Sequence, residues 1–195
     1  MQSLHRLLHL GDMKLFLRLF LPVAVLLTAL GCAKERLEPD RFEFDAEWAE
    51  AYYFGTDEIG GVNCYQLDLA QGRTDADLDL ISSGAVVRLL ISAPVAEDIA
   101  LPDGRYLGSA TRDYAYTFNY GSLQEDKSIA GSYVGLRTKG GQQTQLFPID
   151  GGTVTVSLAG EDRYEVVVEV RTSGRPFRFA YSGTIRTFDC TQPKG

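Results

Sequence analysis

Histidine is almost missing from this chain. Its two copies, His5 and His9, both fall within the first twelve residues. From residue 13 onward there is no imidazole to serve a Ser-His or Cys-His pair. Cysteine is scarce as well, with Cys32, Cys64 and Cys190 only, and cysteines without histidine make a poor zinc set. Neither a Ser-x-x-Lys motif nor a glycine-rich phosphate loop occurs. Tryptophan appears once, as Trp48, and is expected in the core rather than on a ligand platform. These absences point away from catalysis, and the chain is not expected to be an enzyme. Carboxylates are plentiful, but no pair stands out as a glycosidase acid and base.

One apolar run approaches membrane length. It covers residues 19–30, short of the about 20 residues a comfortable span needs. Lys14 and Arg18 precede it, and Ala29-Leu30-Gly31 lead into Cys32. This segment resembles a bacterial lipoprotein signal. The resemblance implies cleavage before Cys32, diacylation of its sulfur, and membrane attachment through that lipid. Ala29 stands where such signals usually carry leucine. An ordinary secretory signal cut beside a cysteine is the other reading. Met13 would make a more orthodox start than Met1. Residues 32–40 then read as the acylated cysteine and a short charged tether, 41–190 as one domain, and 191–195 as a tail.

Removal of residues 1–31 leaves 164 residues, enough for a sizeable core. The whole chain has 19 basic and 26 acidic groups; losing Arg6, Lys14, Arg18 and Asp12 leaves 16 and 25, a formal charge near −9. Such a surface disfavours nucleic acid and anionic headgroups as partners.

What the chain does have is alternation. In 152–158 Val154, Val156 and Leu158 share one side; in 163–171 Tyr164, Val166, Val168 and Val170 do; in 176–186 Phe177, Phe179, Tyr181 and Ile185 do. Period two over three consecutive segments, with turn residues at 159–162 and 172–175, predicts three antiparallel strands in a row. Further strands are expected at 41–54, 62–69, 85–93, 105–110, 114–121, 129–138 and 144–149. In 41–54 Phe42, Phe44, Ala46, Trp48, Tyr52 and Phe54 are expected inward, with Glu50 the exception and a bulge near it. Short links and the lack of a crossover helix predict an all-β fold. It is expected as a single antiparallel β-sandwich or flattened barrel of about ten hairpin-linked strands.

Some of these segments form a familiar outline: Ala51-Tyr52-Tyr53-Phe54-Gly55, Leu101-Pro102-Asp103-Gly104-Arg105-Tyr106, Gly152-Thr153-Val154-Thr155-Val156 and Tyr181-Ser182-Gly183-Thr184-Ile185. The outline, over residues 46–186, resembles the β-rich lipoprotein domains of unknown function found in Bacteroidetes. That resemblance implies an all-β fold and a cell-envelope location, as an outer-membrane lipoprotein facing the periplasm or the exterior. It carries over no catalytic residue.

Three groups of residues are candidate sites. Cys64 and Cys190 share outward parity in a chain bound for an oxidising compartment, so they are a candidate disulfide if the first and last strands adjoin, and two free thiols otherwise. Asp75, Asp77 and Asp79 would project from one strand face as a candidate Ca²⁺ site, or form a solvated face; no other cofactor is expected. Tyr114, Tyr116, Phe118 and Tyr120 recur at every second position, so a strand would gather them on one face. That face is either a sugar-stacking platform or part of the core. The leading expectation is a lipid-anchored envelope protein with a non-catalytic binding or scaffolding role and a protein or glycan partner. The alternatives are a carbohydrate-binding surface lipoprotein and a lipocalin-like carrier of a small apolar ligand.

Overall fold

The computed structural model describes residues 41–75, 79–160 and 162–191. The targeting segment, Cys32 and the whole tether expected from the sequence lie outside the described residues, as do Asp77 and most of the tail. Among the described residues the chain is all-β, with strands and no helix. In order these are β1 (Phe42–Asp45), β2 (Trp48–Asp57), β3 (Val62–Gln71), β4 (Gly84–Ala93), β5 (Gly104–Ser109), β6 (Thr117–Asn119), β7 (Ser122–Leu123), β8 (Ile129–Ala130), β9 (Tyr133–Arg137), β10 (Gln145–Pro148), β11 (Gly151–Gly160), β12 (Arg163–Thr172), β13 (Arg175–Thr184) and β14 (Arg186–Asp189). β7 and β8 pair only with each other; the rest form one sheet.

The expected meander is present. β12 pairs antiparallel with β11 and with β13, placing Val154, Val168 and Phe179 in one row. Ser173 and Gly174, with φ of 49° and 81°, make the two-residue turn between β12 and β13, the positive-φ geometry whose twist suits a tight hairpin. Leu158 departs from expectation. It is 57% exposed, at the end of β11 where the ladder shifts register before Gly160.

The sheet is mixed rather than antiparallel, which corrects the hairpin-only reading. β1 runs parallel to β13, β14 to β2, and β5 to β6. β1 and β2 are one nearly continuous run, and so are β13 and β14. The two runs lie side by side in the same direction, with Ala46 N donating to Ala180 O between the paired stretches. The strand order β1-β13-β12-β11-β5-β6-β4-β3-β2-β14 therefore begins and ends on the same two runs, and the sheet curls back toward itself.

The early run also shifts phase. Phe42 and Phe44 stack on the core rings Phe177 and Phe179. Beyond the β1–β2 junction, however, the buried residues are Ala49 and Ala51, and Trp48, Tyr52 and Phe54 turn outward with Glu50. The break lies at Ala46-Glu47, where hydrogen bonding passes from Ala180 to Ala70. The expected bulge near Glu50 is thus misplaced, and Glu50 is not an exception. Trp48 is half-buried on the outer side, packed on Ala70, Leu80 and Val86.

The inner side holds one apolar cluster to which every long strand contributes. Tyr65, Tyr106, Phe118, Phe179, Leu67, Leu69 and Leu89 are among its largest fully buried members. Apolar burial at roughly 25 cal/mol per Å² makes this cluster the main stabilising term.

β4 changes neighbour along its length. Residues 84–88 pair with β9, and Ile91 and Ser92 pair with β6. Between them Leu90 N donates to the buried Ser132 Oγ at 3.0 Å. Because β5 and β6 are parallel, the chain must double back between them. This return segment, residues 110–116, meets the β2–β3 turn so closely that a Cβ on Gly60 would lie 3.2 Å from the Asp113 Cα.

Candidate functional site

The outer face of β14, β2, β3, β4 and β9 carries the most ordered chemistry of the described residues. Cross-strand register places Arg186, Glu50, Asp68, Arg88 and Tyr133 in one line across five strands. Two carboxylates, Glu50 and Asp68, lie side by side in it, flanked by Arg186 and Arg88. Asp68 lies at the centre, fully buried although it points away from the core. Arg88 donates from Nε to Asp68 Oδ1 at 2.9 Å and from Nη2 to Oδ2 at 3.3 Å, and Gln66 Nε2 donates to Oδ2 at 2.6 Å. Burial pushes the Asp68 carboxyl up, and these donors pull it back toward its charged form. The Arg88 guanidinium also sits 5.5 Å from the centre of the Tyr133 ring.

The next line is aromatic and amide. Phe188, Tyr52, Gln66 and Leu90 are register neighbours. Tyr52 stacks on Phe188 at 5.3 Å, and Arg186 lies 4.8 Å over Phe188. Tyr52 OH donates to Glu50 at 2.8 Å, and burial followed by this carboxylate pushes its ionisation well above the ordinary tyrosine value. Phe188 is therefore engaged by both a cation and a ring.

Beyond this line lies a groove of about 260 Å³ lined by Phe54, Cys64, Tyr65, Gln66, Leu90, Ile91 and Arg112. Phe54 reaches it because β2 slips register between Tyr53 and Thr56. Arg112 reaches it from the 110–116 return segment. With the Asn119 amide oriented to satisfy both its ends, Asn119 accepts from Arg112 Nε at 2.9 Å and donates to Thr111 O at 3.3 Å.

The aromatic stripe is not a strand platform. Only Thr117–Asn119 is strand, and Tyr114 and Tyr116 lie in the turn before it. Tyr116 has φ of 59°, which breaks the alternation. Phe118 is fully buried in the core. Tyr116 and Tyr120 pack over Gly104 and Gly108 of β5, where a Cβ would collide with each ring, and stay 44% and 37% exposed. Tyr114 is 67% exposed.

Cys64 and Cys190 are free thiols, contrary to the disulfide expectation. The first and last runs do adjoin, but β2 lies between the two cysteines. Cys190 N donates to Tyr53 O on one side of β2, and β3 with Cys64 pairs on the other. Two lanes are separated by about 9–10 Å, beyond disulfide reach. Burial pushes the Cys64 thiol up, against a downward pull from Arg112.

Asp75 and Asp79 are on a loop, not on a strand face. Thr74 and Leu80 bridge its neck, and Asp79 N donates to Asp75 Oδ1 at 3.0 Å. No group of three metal-ligating side chains occurs among the described residues, and Asp77 lies outside them.

Comparison of the chain with known protein families, curated proteins and solved structures returned no match. The line through Asp68 and Arg88 was not singled out by sequence reading. Its one sequence signal was a charge at an outward position in each of two adjacent strands, and register was needed to pair them.

Proposed function

We propose that this chain is a lipid-anchored cell-envelope protein, held to the outer membrane through Cys32, with a non-catalytic binding or scaffolding role. The observation that carries the binding part is the filled interior. Buried rings and aliphatic side chains occupy the inner side of the curled sheet, so recognition falls to its outer surface. The meeting of the two parallel runs favours a flattened barrel over a sandwich, and its packed inside disfavours the lipocalin-like carrier. The resemblance to Bacteroidetes lipoprotein domains supports the same location, periplasmic or surface-exposed.

A glycan partner is the second reading, favoured by the exposure of Tyr114, Tyr116 and Tyr120. Tyr116 and Tyr120 each lay part of their rings on β5 glycines, which makes it weaker than a partner using the outer face of β2–β4.

Two measurements test the proposal. Cells fed an alkyne-tagged fatty acid should label the full chain, and Cys32→Ser should lose the label; label retained in that variant overturns the anchor. The thermal midpoint should rise with one partner class from a panel of glycans, fatty acids, Ca²⁺ and envelope proteins. A ligand at 100 times its Kd adds about 2.7 kcal/mol, a rise of roughly 5–10 °C for a domain of this size. A shift with fatty acids alone, together with release of core packing, would restore the carrier.

A further inference from the structure

We propose that the groove between Phe54 and Arg112 binds a small carboxylate with an aromatic or aliphatic body. This deepens the binding reading and rests on it.

The argument starts from the walls. Leu90 and the outward-turned Phe54, which is 53% exposed, give the groove an apolar floor and side. A Cβ on Gly55, with φ of 93°, would lie 3.2 Å from Thr191 Cγ2, so the slipped segment of β2 is held against the chain that follows β14. This fixes the backbone that carries the Phe54 ring. The cation is positioned too. Asn119 occupies Arg112 Nε, and the Arg112 side chain lines the groove, so its terminal nitrogens are the donors left for a ligand. No ion pair joins Arg112 to a carboxylate among the described residues. A planar guanidinium with two parallel donors matches a carboxylate in a bidentate pair.

The remaining polar groups decide the class. Gln66 gives one Nε2 hydrogen to Asp68, which leaves one N–H and one carbonyl against the several hydroxyls of a sugar acid. A single cation suits a monoanion better than a phosphate dianion. About 260 Å³ suits a body of amino-acid size.

Cys64 supplies the readout, because its half-buried thiol lines the same groove while Cys190 is exposed on the far side of β2. Membranes from cells making the full chain would be treated with iodoacetamide, and alkylation at each cysteine followed by peptide-resolved mass spectrometry. The probe is 3-phenylpropionate, for which an affinity near 1 mM is expected from its size, on the order of ten non-hydrogen atoms. Saturating probe should slow alkylation of Cys64 about tenfold and leave Cys190 unchanged. Arg112→Gln should abolish the protection and Phe54→Ala should weaken it; both residues are exposed, and an unchanged melting midpoint shows that each variant folds. Protection by the neutral alcohol 3-phenylpropanol at equal strength, protection retained in Arg112→Gln, or no protection at 10 times the expected Kd (about 10 mM) overturns the proposal. Stronger protection by a hexuronate than by the probe overturns the apolar class in favour of a sugar acid. Loss of the Cys32 label defeats the anchored reading without altering the alkylation result, so the two failures are separable.

Discussion

Arg88 Nε donates to Asp68 Oδ1 at 2.9 Å, straight across the β3–β4 pair and on the outer side of the sheet. An ion pair on an outer face is usually solvated and worth little. Here the carboxylate is fully buried, so removing one partner strands the other. Arg88→Ala is expected to cost about 3–5 kcal/mol, and the double change Asp68→Leu with Arg88→Met far less. Urea midpoints at constant slope would measure both. The loss in Arg88→Ala should shrink as pH falls, because protonation neutralises the stranded Asp68. A loss under about 1 kcal/mol would mean that water reaches the pair.

Alkaline pH should unfold the protein through its tyrosines. Burial pushes Tyr65 up to about 12, and raises Tyr52, Tyr106, Tyr133, Tyr164 and Tyr181 from the ordinary value of 10.0. Their folded values exceed their unfolded ones, so the unfolded chain releases protons first as pH rises. The stability they contribute is complete below about pH 10 and is lost progressively above it. An ultraviolet titration should show part of the tyrosinate signal appearing together with loss of β structure. A full signal from a still folded chain would contradict the burial of these rings.

Two glycines should respond differently to alanine. A Cβ on Gly121 would lie 2.1 Å from Ser132 O and 2.9 Å from Ile149 N, both backbone atoms. Gly121→Ala is expected to cost about 2–3 kcal/mol, since the neighbours cannot yield without breaking the contact among residues 121, 132 and 149. Gly140 has φ of 83° and nothing within 4 Å, so Gly140→Ala pays only the left-handed backbone strain, about 1 kcal/mol. Thermal midpoints in the reverse order would indicate that the junction between β6 and β9 is looser than described.

The two domain thiols should remain unpaired. Peptide mapping without reductant should find Cys64 and Cys190 free, and Cys64→Ser or Cys190→Ser should not produce the about 2–5 kcal/mol loss that follows removal of a native disulfide. A bridged peptide would mean that β2 detaches from one of its neighbours in the oxidised protein.

Much of the fold is legible in the residues because alternation is a local signal. The inward sets of β3, β4, β12 and β13 can be read from Tyr65, Leu89, Val168 and Phe179 without knowing what they pack against. The errors fall where a non-local event intervenes. The phase slip at Ala46-Glu47 reverses the faces of Trp48, Tyr52 and Phe54, because Ala180 and Ala70 compete for consecutive backbone donors. The stripe from Tyr114 to Tyr120 fails as a strand because a parallel β5–β6 pair requires a return segment, and the positive φ of Tyr116 belongs to that return.

Sequence alone determined the all-β class and the identity of most core positions, since period-two burial depends only on the order of side chains along the chain. It also raised the address at Cys32, which stays a proposal here. The tertiary structure decided direction, register and closure. Whether two strands run parallel, which residue faces which, and that Asp68 meets Arg88 while Cys64 misses Cys190 all depend on pairing between segments far apart in the chain. Hydrogen-bonded lanes are set by the backbone of both partners, and no single segment carries that information.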